Sequence, residues 1–456
     1  MKTFIFLFFI SKVLSYLIFP LSKESEEITS SDKQGDIIKK LSDMKLYLTI
    51  NIGSKNENVK TLVTLSKSEL IIAGQNIKNH QYNELESDSY FSNNEKKPFS
   101  VGPYEEGVSS TETFNIKNGK NEIQNVNNTN FILATKAKYD DVSAGEIGLH
   151  LPFPESYEEY NFIDNLKKSN GTNSSNWYFD YDNFSKGEGK MIIDGFPDDL
   201  NNKKYNHDNY STIYALKKGY TVDWGIKFSN IYYNDSYSVI NNDIEAHFVF
   251  DLGIISAPED VATMMEKYFF KKYIDEKICF KESFGVYKDI FFYCKKTFNI
   301  EVFESIYLKN KDLEIIFELD YNDLFYKRND YIYFLITFKK DSNIWRLGEL
   351  FLKKYYIVFN QESKTVGYYR GMEKQKNRKQ TESESESRSN TMIILVILII
   401  ILILIIVAGI IFYIKNKKPR KNRANELDDD NYEYEPQKDT PDDKSNELIN
   451  NKNFIN

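Results

Sequence analysis

The residues best placed to do chemistry lie in one short stretch, Ala246-His247-Phe248-Val249-Phe250-Asp251-Leu252-Gly253. An apolar strand there delivers a single carboxylate into a glycine turn, a presentation suited to general acid–base work. The bland counterpart is a loop carboxylate bonded to backbone N–H groups, and one aspartate alone does not decide between them. Elsewhere the chemistry is sparse. His80, His150, His207 and His247 show no metal-ligand spacing and read as ordinary surface or turn residues. No metal and no cofactor is expected. Cys279 and Cys294 are the two cysteines, and in an oxidising compartment an isolated pair at this spacing reads as a disulfide before a metal site. The formal charge of −8 gives no reason to expect nucleic acid as a partner.

What must position these residues is a chain organised around a membrane. Residues 392–414 are almost all Ile, Leu or Val and carry no charge. A helix of about 23 residues reaches across the hydrocarbon core of a bilayer. Lys415, Lys417, Lys418, Arg420, Lys421 and Arg423 follow directly, and such clusters stay cytoplasmic. At the other end Lys2 precedes a short apolar run, residues 4–10, with short side chains near Val13 and Ser15, which is the pattern of a secretory signal peptide over 1–15. The expectation is a single-pass protein at the cell surface or in the secretory pathway. Its ectodomain is outside and its tail, 415–456, is cytosolic.

Between these lie roughly 375 residues, more than one core usually serves, so two lobes are expected. Tyr and Phe, 33 of each, suit strands with half-buried faces. Residues 16–43 are polar, with one short helical candidate at 37–41, and read as a spacer or short prosegment. Lys45-Leu46-Tyr47-Leu48-Thr49-Ile50-Asn51-Ile52-Gly53 alternates as a strand closing on a glycine turn, and a second strand, 59–63, follows. Taken alone these are a hairpin of a β-rich domain. Tyr104-Glu105-Glu106-Gly107 reads as a hairpin tip, and Gly145-Glu146-Ile147-Gly148-Leu149 as a glycine-flanked turn beside a short strand. Further strands are expected at 177–181, 189–195, 221–230, 290–294, 313–319 and 331–338, with helices at 162–167 and 260–270. Asn127, Asn170, Asn173, Asn183, Asn209 and Asn234 head N-x-S/T sequons, and their confinement to the ectodomain suits a glycosylated surface. Residues 371–391 form a polar, Ser/Glu-repeating stalk.

The last ectodomain stretch, Trp345-Arg346-Leu347-Gly348-Glu349-Leu350-Phe351-Leu352-Lys353-Lys354-Tyr355-Tyr356-Ile357-Val358-Phe359-Asn360, closely resembles the C-terminal segment of pepsin-like aspartic peptidases, W-x-L-G-D-x-F-L-R-x-Y-Y-x-V-F-D. Thr365-Val366-Gly367-Tyr368 is similar to the closing V-G-F. Tyr47 to Gly53 stands where that family opens, Tyr104-x-x-Gly107 where its flap lies, Ile147-Gly148-Leu149 at its I-L-G-L turn and Asp251-x-Gly253 at its second active-site loop. The resemblance covers roughly residues 44–370, most strongly at its end.

That resemblance implies an all-β, bilobal pepsin-like fold, lobes at 44–215 and 216–370, with one C-terminal transmembrane helix. It also puts a disulfide between Cys279 and Cys294 in the second lobe, and Tyr104 and Gly107 over a bound substrate. Its chemistry needs two carboxylates sharing a proton, one per lobe, each heading a D-T/S-G loop. The second loop keeps Asp251 and Gly253 but has Leu252 for the hydroxyl. The first places Thr64 at the aspartate, Leu65 at the hydroxyl and Ser66 at the glycine, and no aspartate lies between Gly53 and Ser87 to replace it. The expectation is a catalytically inactive cleft that binds an extended peptide or protein partner. The alternatives are an active membrane-anchored aspartic endopeptidase and a structural coat protein.

Overall fold

The computed structural model describes residues 16–99, 102–151, 159–182, 184, 189–201, 204–219, 221–234, 237–240, 243–310 and 315–369. The expected signal peptide, stalk, membrane span and tail lie outside the described residues. Among the described residues no helix is long and apolar enough to cross a membrane.

The alternation read in the opening strand sets the first layer. Lys45–Ile52 buries Leu46, Leu48, Ile50 and Ile52 on one face. At Gly53, whose φ of 80° is open to glycine without strain, the chain turns and returns antiparallel as Glu57–Thr64, Tyr47 opposite Leu62 and Ile52 opposite Glu57. These strands belong to a thirteen-stranded sheet, and a nine-stranded sheet forms most of the second half.

The two sheets contain the same strand arrangement twice. Glu57–Thr64 runs parallel to Gly145–Gly148, which is antiparallel to Leu70–Ala73, which is parallel to Ile123–Ala137. In the second half Ile244–Phe248 runs parallel to Trp345–Leu347, which is antiparallel to Ile255–Pro258, which is parallel to Ile336–Lys339. Sequence order is the same in both sets. Each therefore throws up one loop between its first and second strands, 65–69 in one and 249–254 in the other.

Residues 16–43 are not a spacer, which corrects the expectation from their polarity. Leu17–Glu24 is a strand inside the large sheet, paired with Lys45–Ile52 on one side and Gly189–Ile193 on the other. Leu17, Phe19 and Leu21 are buried, and Pro20 sits on the exposed alternate face. Gln34–Ser42 is a helix whose Ile37 and Ile38 pack with Ile254, Phe291 and Tyr333 of the second half.

The last strands cross the expected division at residue 215. The last strands, Val358–Asn360 and Thr365–Tyr369, leave the second half and join the large sheet, Phe359 opposite Trp177 and Tyr210 opposite Tyr369. An aromatic cluster seals this junction. Trp177 stacks on Phe359 with ring centres 4.3 Å apart, and both meet Phe250 edge-on. The helix Glu349–Tyr355 lies just before, ending at Tyr356 in the left-handed conformation. Cys279 and Cys294, opposite one another on neighbouring strands, form the disulfide.

Candidate active site

The two loops of the repeat meet in one cavity of about 1030 Å³ whose lining includes both Thr64 and Asp251. Each loop is cradled by a glycine at or just past the end of the strand beneath it. A side chain at Gly148 would strike the Lys67 carbonyl oxygen at 2.5 Å, and one at Gly348 the Leu252 carbonyl oxygen at 2.1 Å. The close approach lets backbone hydrogen bonds shape the loops. Leu149 N donates to Thr64 O at 2.9 Å and His150 N to Lys67 O at 3.0 Å. In the second loop Glu349 N donates to Leu252 O at 2.7 Å.

In the first loop, the side chain standing where a carboxylate is expected is a hydroxyl turned on its own backbone. Ser66 N donates to Thr64 Oγ1 at 3.0 Å, and the two hydroxyls lie 2.9 Å apart. This is the local turn that Ser and Thr side chains favour. A buried ion pair between Lys67 and Glu146 ties the loop to the strand beneath.

The second loop is held from behind by the N-terminal helix. Asp43 pairs with Leu252 as an isolated antiparallel bridge, Gly253 N donates to Ser42 O at 2.8 Å and Met44 N to Asp251 O at 3.3 Å. Leu252, which replaces the family's hydroxyl, packs against the buried cluster that contains Ile37, Ile38 and Ile254. Its apolar side chain thus fits an apolar support that the hydroxyl would not. Asp251 itself is exposed to the cavity. Burial, with added repulsion from Glu26 and Asp251 and partial relief from Lys39, holds the Asp43 carboxyl above the usual aspartate range.

Tyr104 and Gly107 are not part of this cavity, which corrects their assignment to a flap over the substrate. Tyr104 is fully buried at the start of the strand Tyr104–Asn118, and its hydroxyl donates to Ser143 O at 2.8 Å. It packs with Ile71, Ile132 and Val142. Gly107 lies mid-ladder between Lys97 and Ala134. The connection of that hairpin falls earlier, between Phe91–Pro98 and Tyr104–Asn118.

Two histidines read as ordinary do line the cavity, a second correction. His150 Nε2 lies 3.3 Å from Asp223 Oδ1, and its Nδ1 lies 2.6 Å from Leu151 O. His247, in the strand that leads to Asp251, accepts at Nε2 from the Lys218 ammonium, 3.3 Å away. Burial and the Lys218 charge push the His247 imidazole below its ordinary pKa. Lys218 in turn pairs with Glu245 at 3.1 Å. Glu24, Glu26, Asp43, Asp223 and Arg346 also face the cavity, and sequence reading singled out none of them. The one usable signal was the unspecified position of the W-x-L-G motif, which is Arg346. Strand alternation buries Trp345 and Leu347 and turns Arg346 outward.

Of the sequon asparagines, Asn127, Asn170, Asn173 and Asn209 are exposed and Asn234 is half-buried, while Asn183 lies outside the described residues. Among the described residues no group of side chains is arranged to hold a metal ion.

No curated protein was found to match this sequence. The family model for eukaryotic aspartyl protease matches residues 45–370. Two copies of one strand motif, each sending a loop into a shared cleft, are what a two-lobed pepsin-like fold requires, and the chain belongs to the eukaryotic aspartyl protease family.

Proposed function

We propose that this chain is a membrane-anchored, catalytically silent aspartic peptidase whose cleft binds an extended peptide. The observation that carries the reading is Thr64. The first loop contributes a neutral hydroxyl already engaged with Ser66, so it offers Asp251 no carboxylate with which to share a proton. Acid–base catalysis by one lone group is worth only about 10²–10⁴-fold.

Asp43 is the competing candidate for a second carboxylate, since it lines the same cavity. It belongs to the end of the N-terminal helix and not to the first loop, where the family's chemistry puts the second carboxylate. Peptide binding needs neither carboxylate, because an extended ligand is held chiefly by main-chain hydrogen bonds while pockets select side chains. Leu62, Val63, Leu65 and Phe248 supply apolar lining for a hydrophobic central residue. Membrane anchoring and glycosylation rest on the span, the signal pattern and the sequons.

The experiment is incubation of the purified chain with a peptide library from about pH 3 to 7, the range in which carboxylate dyads work, with and without an aspartic-peptidase inhibitor. The reading expects saturable binding and no inhibitor-sensitive cleavage. Cleavage abolished by Asp251→Ala supports the active endopeptidase instead.

A further inference from the structure

Among the described residues Arg346 has no salt-bridge partner in the cleft. It stands on the middle residue of Trp345–Leu347, exposed, and lines the cavity that also holds Thr64 and Asp251. Among the described residues no hydrogen bond or ion pair closes on its guanidinium. Asp289 feels the charges of Arg346 and Lys339, and its carboxyl is nonetheless pushed up by burial, without an ion pair to either.

Among the described residues no carboxylate of the cavity, Asp251 included, forms an ion pair with that guanidinium, and Asp289 adds only a longer-range attraction. His247, opposite Arg346 in the parallel register, already accepts from Lys218 and brings no negative charge. Lys218 is answered by Glu245 at 3.1 Å and Asp223 at 4.0 Å. Those two carboxylates are therefore engaged with lysine. The acidic residues Glu24, Glu26 and Asp43 enter the cavity from the N-terminal segment, whereas Arg346 enters from the second half's own strand. A guanidinium offers five donors in a planar fork matched to a carboxylate.

We infer that Arg346 forms a carboxylate-binding subsite beside the apolar centre of the cleft, so that the peptide taken there presents an acidic side chain or its own C-terminal carboxylate. The inference rests on the peptide-binding reading above and adds the chemical class of the ligand. A charge-assisted, bidentate contact in a partly desolvated cleft is among the stronger hydrogen-bonded pairs, and it discriminates against the neutral amide of the same shape.

The test is calorimetry on the full chain in detergent with extended peptides of fixed hydrophobic centre, both ends blocked. One residue at a time on either side is varied through Glu, Gln and Lys. A further arm carries Gln throughout and a free C-terminus. At one position Glu is expected to bind about tenfold tighter than Gln, or the free C-terminus to give that gain. Arg346→Gln should bring the ratio to about one, and Arg346→Glu should turn the preference toward Lys. Lys353→Gln, on the exposed side of the following helix, should leave the ratio in place. Binding without any preference for a carboxylate, or a preference that survives Arg346→Gln, overturns the subsite while leaving the peptide-binding reading intact. Failure of every peptide to bind contradicts that reading and the subsite with it.

Discussion

The Ser66 amide donates to the Thr64 hydroxyl at 3.0 Å, so the side chain at the head of the first loop is folded back on its own turn. The defect is therefore larger than one missing carboxylate, because the loop's backbone has found a different internal partner. Thr64→Asp alone should recover little hydrolysis, since Leu65 brings no hydroxyl and Ser66 still caps the turn. Combining Thr64→Asp with Leu65→Thr and Ser66→Gly should raise peptide cleavage at acidic pH by at least about 10²-fold over the single change. A chromogenic peptide assay reads the difference, and equal rates for the two variants would remove the loop argument.

The helix Gln34–Ser42 acts as a buttress of the second loop. Ile38 is fully buried and packs in the same cluster as Leu252. Ile38→Ala should destabilise the folded chain by about 2–5 kcal/mol through lost packing and a residual cavity. Urea denaturation measures this, and a change within error of zero would return residues 34–42 to the role of a spacer.

That helix shows where sequence reading fell short. Its apolar residues Ile37, Ile38 and Leu41 were visible as a short candidate, but nothing local reveals that they cover a loop more than two hundred residues away. Leu17–Glu24 was missed because Pro20 and the adjoining apolar leader mask an ordinary alternation, Leu17, Phe19 and Leu21 inward. The ends of the domain were legible because Lys45–Ile52 alternates cleanly and Trp345–Asn360 carries a dense motif. Tyr104 misled for the converse reason. A tyrosine and a glycine three apart mark a turn in sequence, whereas burial against Ile71 and Ile132 decides which way the ring points. His150, His247 and Arg346 each come from a different element, so only the fold brings them to one wall.

His247 gives the cleft wall a pH dependence. Burial first, then the Lys218 charge, lowers its pKa beneath the ordinary 6.5, against the opposing pull of Asp223 and Glu245, with Arg346 as its cross-strand neighbour. Between 6.5 and the lower folded value, the unfolded chain holds a proton on this ring that the folded chain does not. Stability then rises with pH through that window and is lost as pH falls through it. His247→Gln can still accept from Lys218 and should flatten this part of the profile relative to wild type. Parallel denaturation series across mildly acidic pH test it, and identical slopes in both proteins would contradict the assignment.

The expected topology has a direct check. Protease added to intact cells should digest the ectodomain and leave an epitope in residues 415–456 protected, given the basic cluster from Lys415 to Arg423. Loss of that epitope without permeabilisation would reverse the orientation.

The cleft is proposed to bind peptide without cutting it. The most direct measurement is calorimetric titration of extended peptides with hydrophobic centres into the purified full chain, the recovered peptides then being weighed by mass spectrometry. Saturable binding tighter than millimolar is expected, weakened by bulky substitution at Thr64 or Leu65, with every peptide recovered intact. Peptides recovered cut at the centre, with cleavage abolished by Asp251→Ala, would instead show an active peptidase.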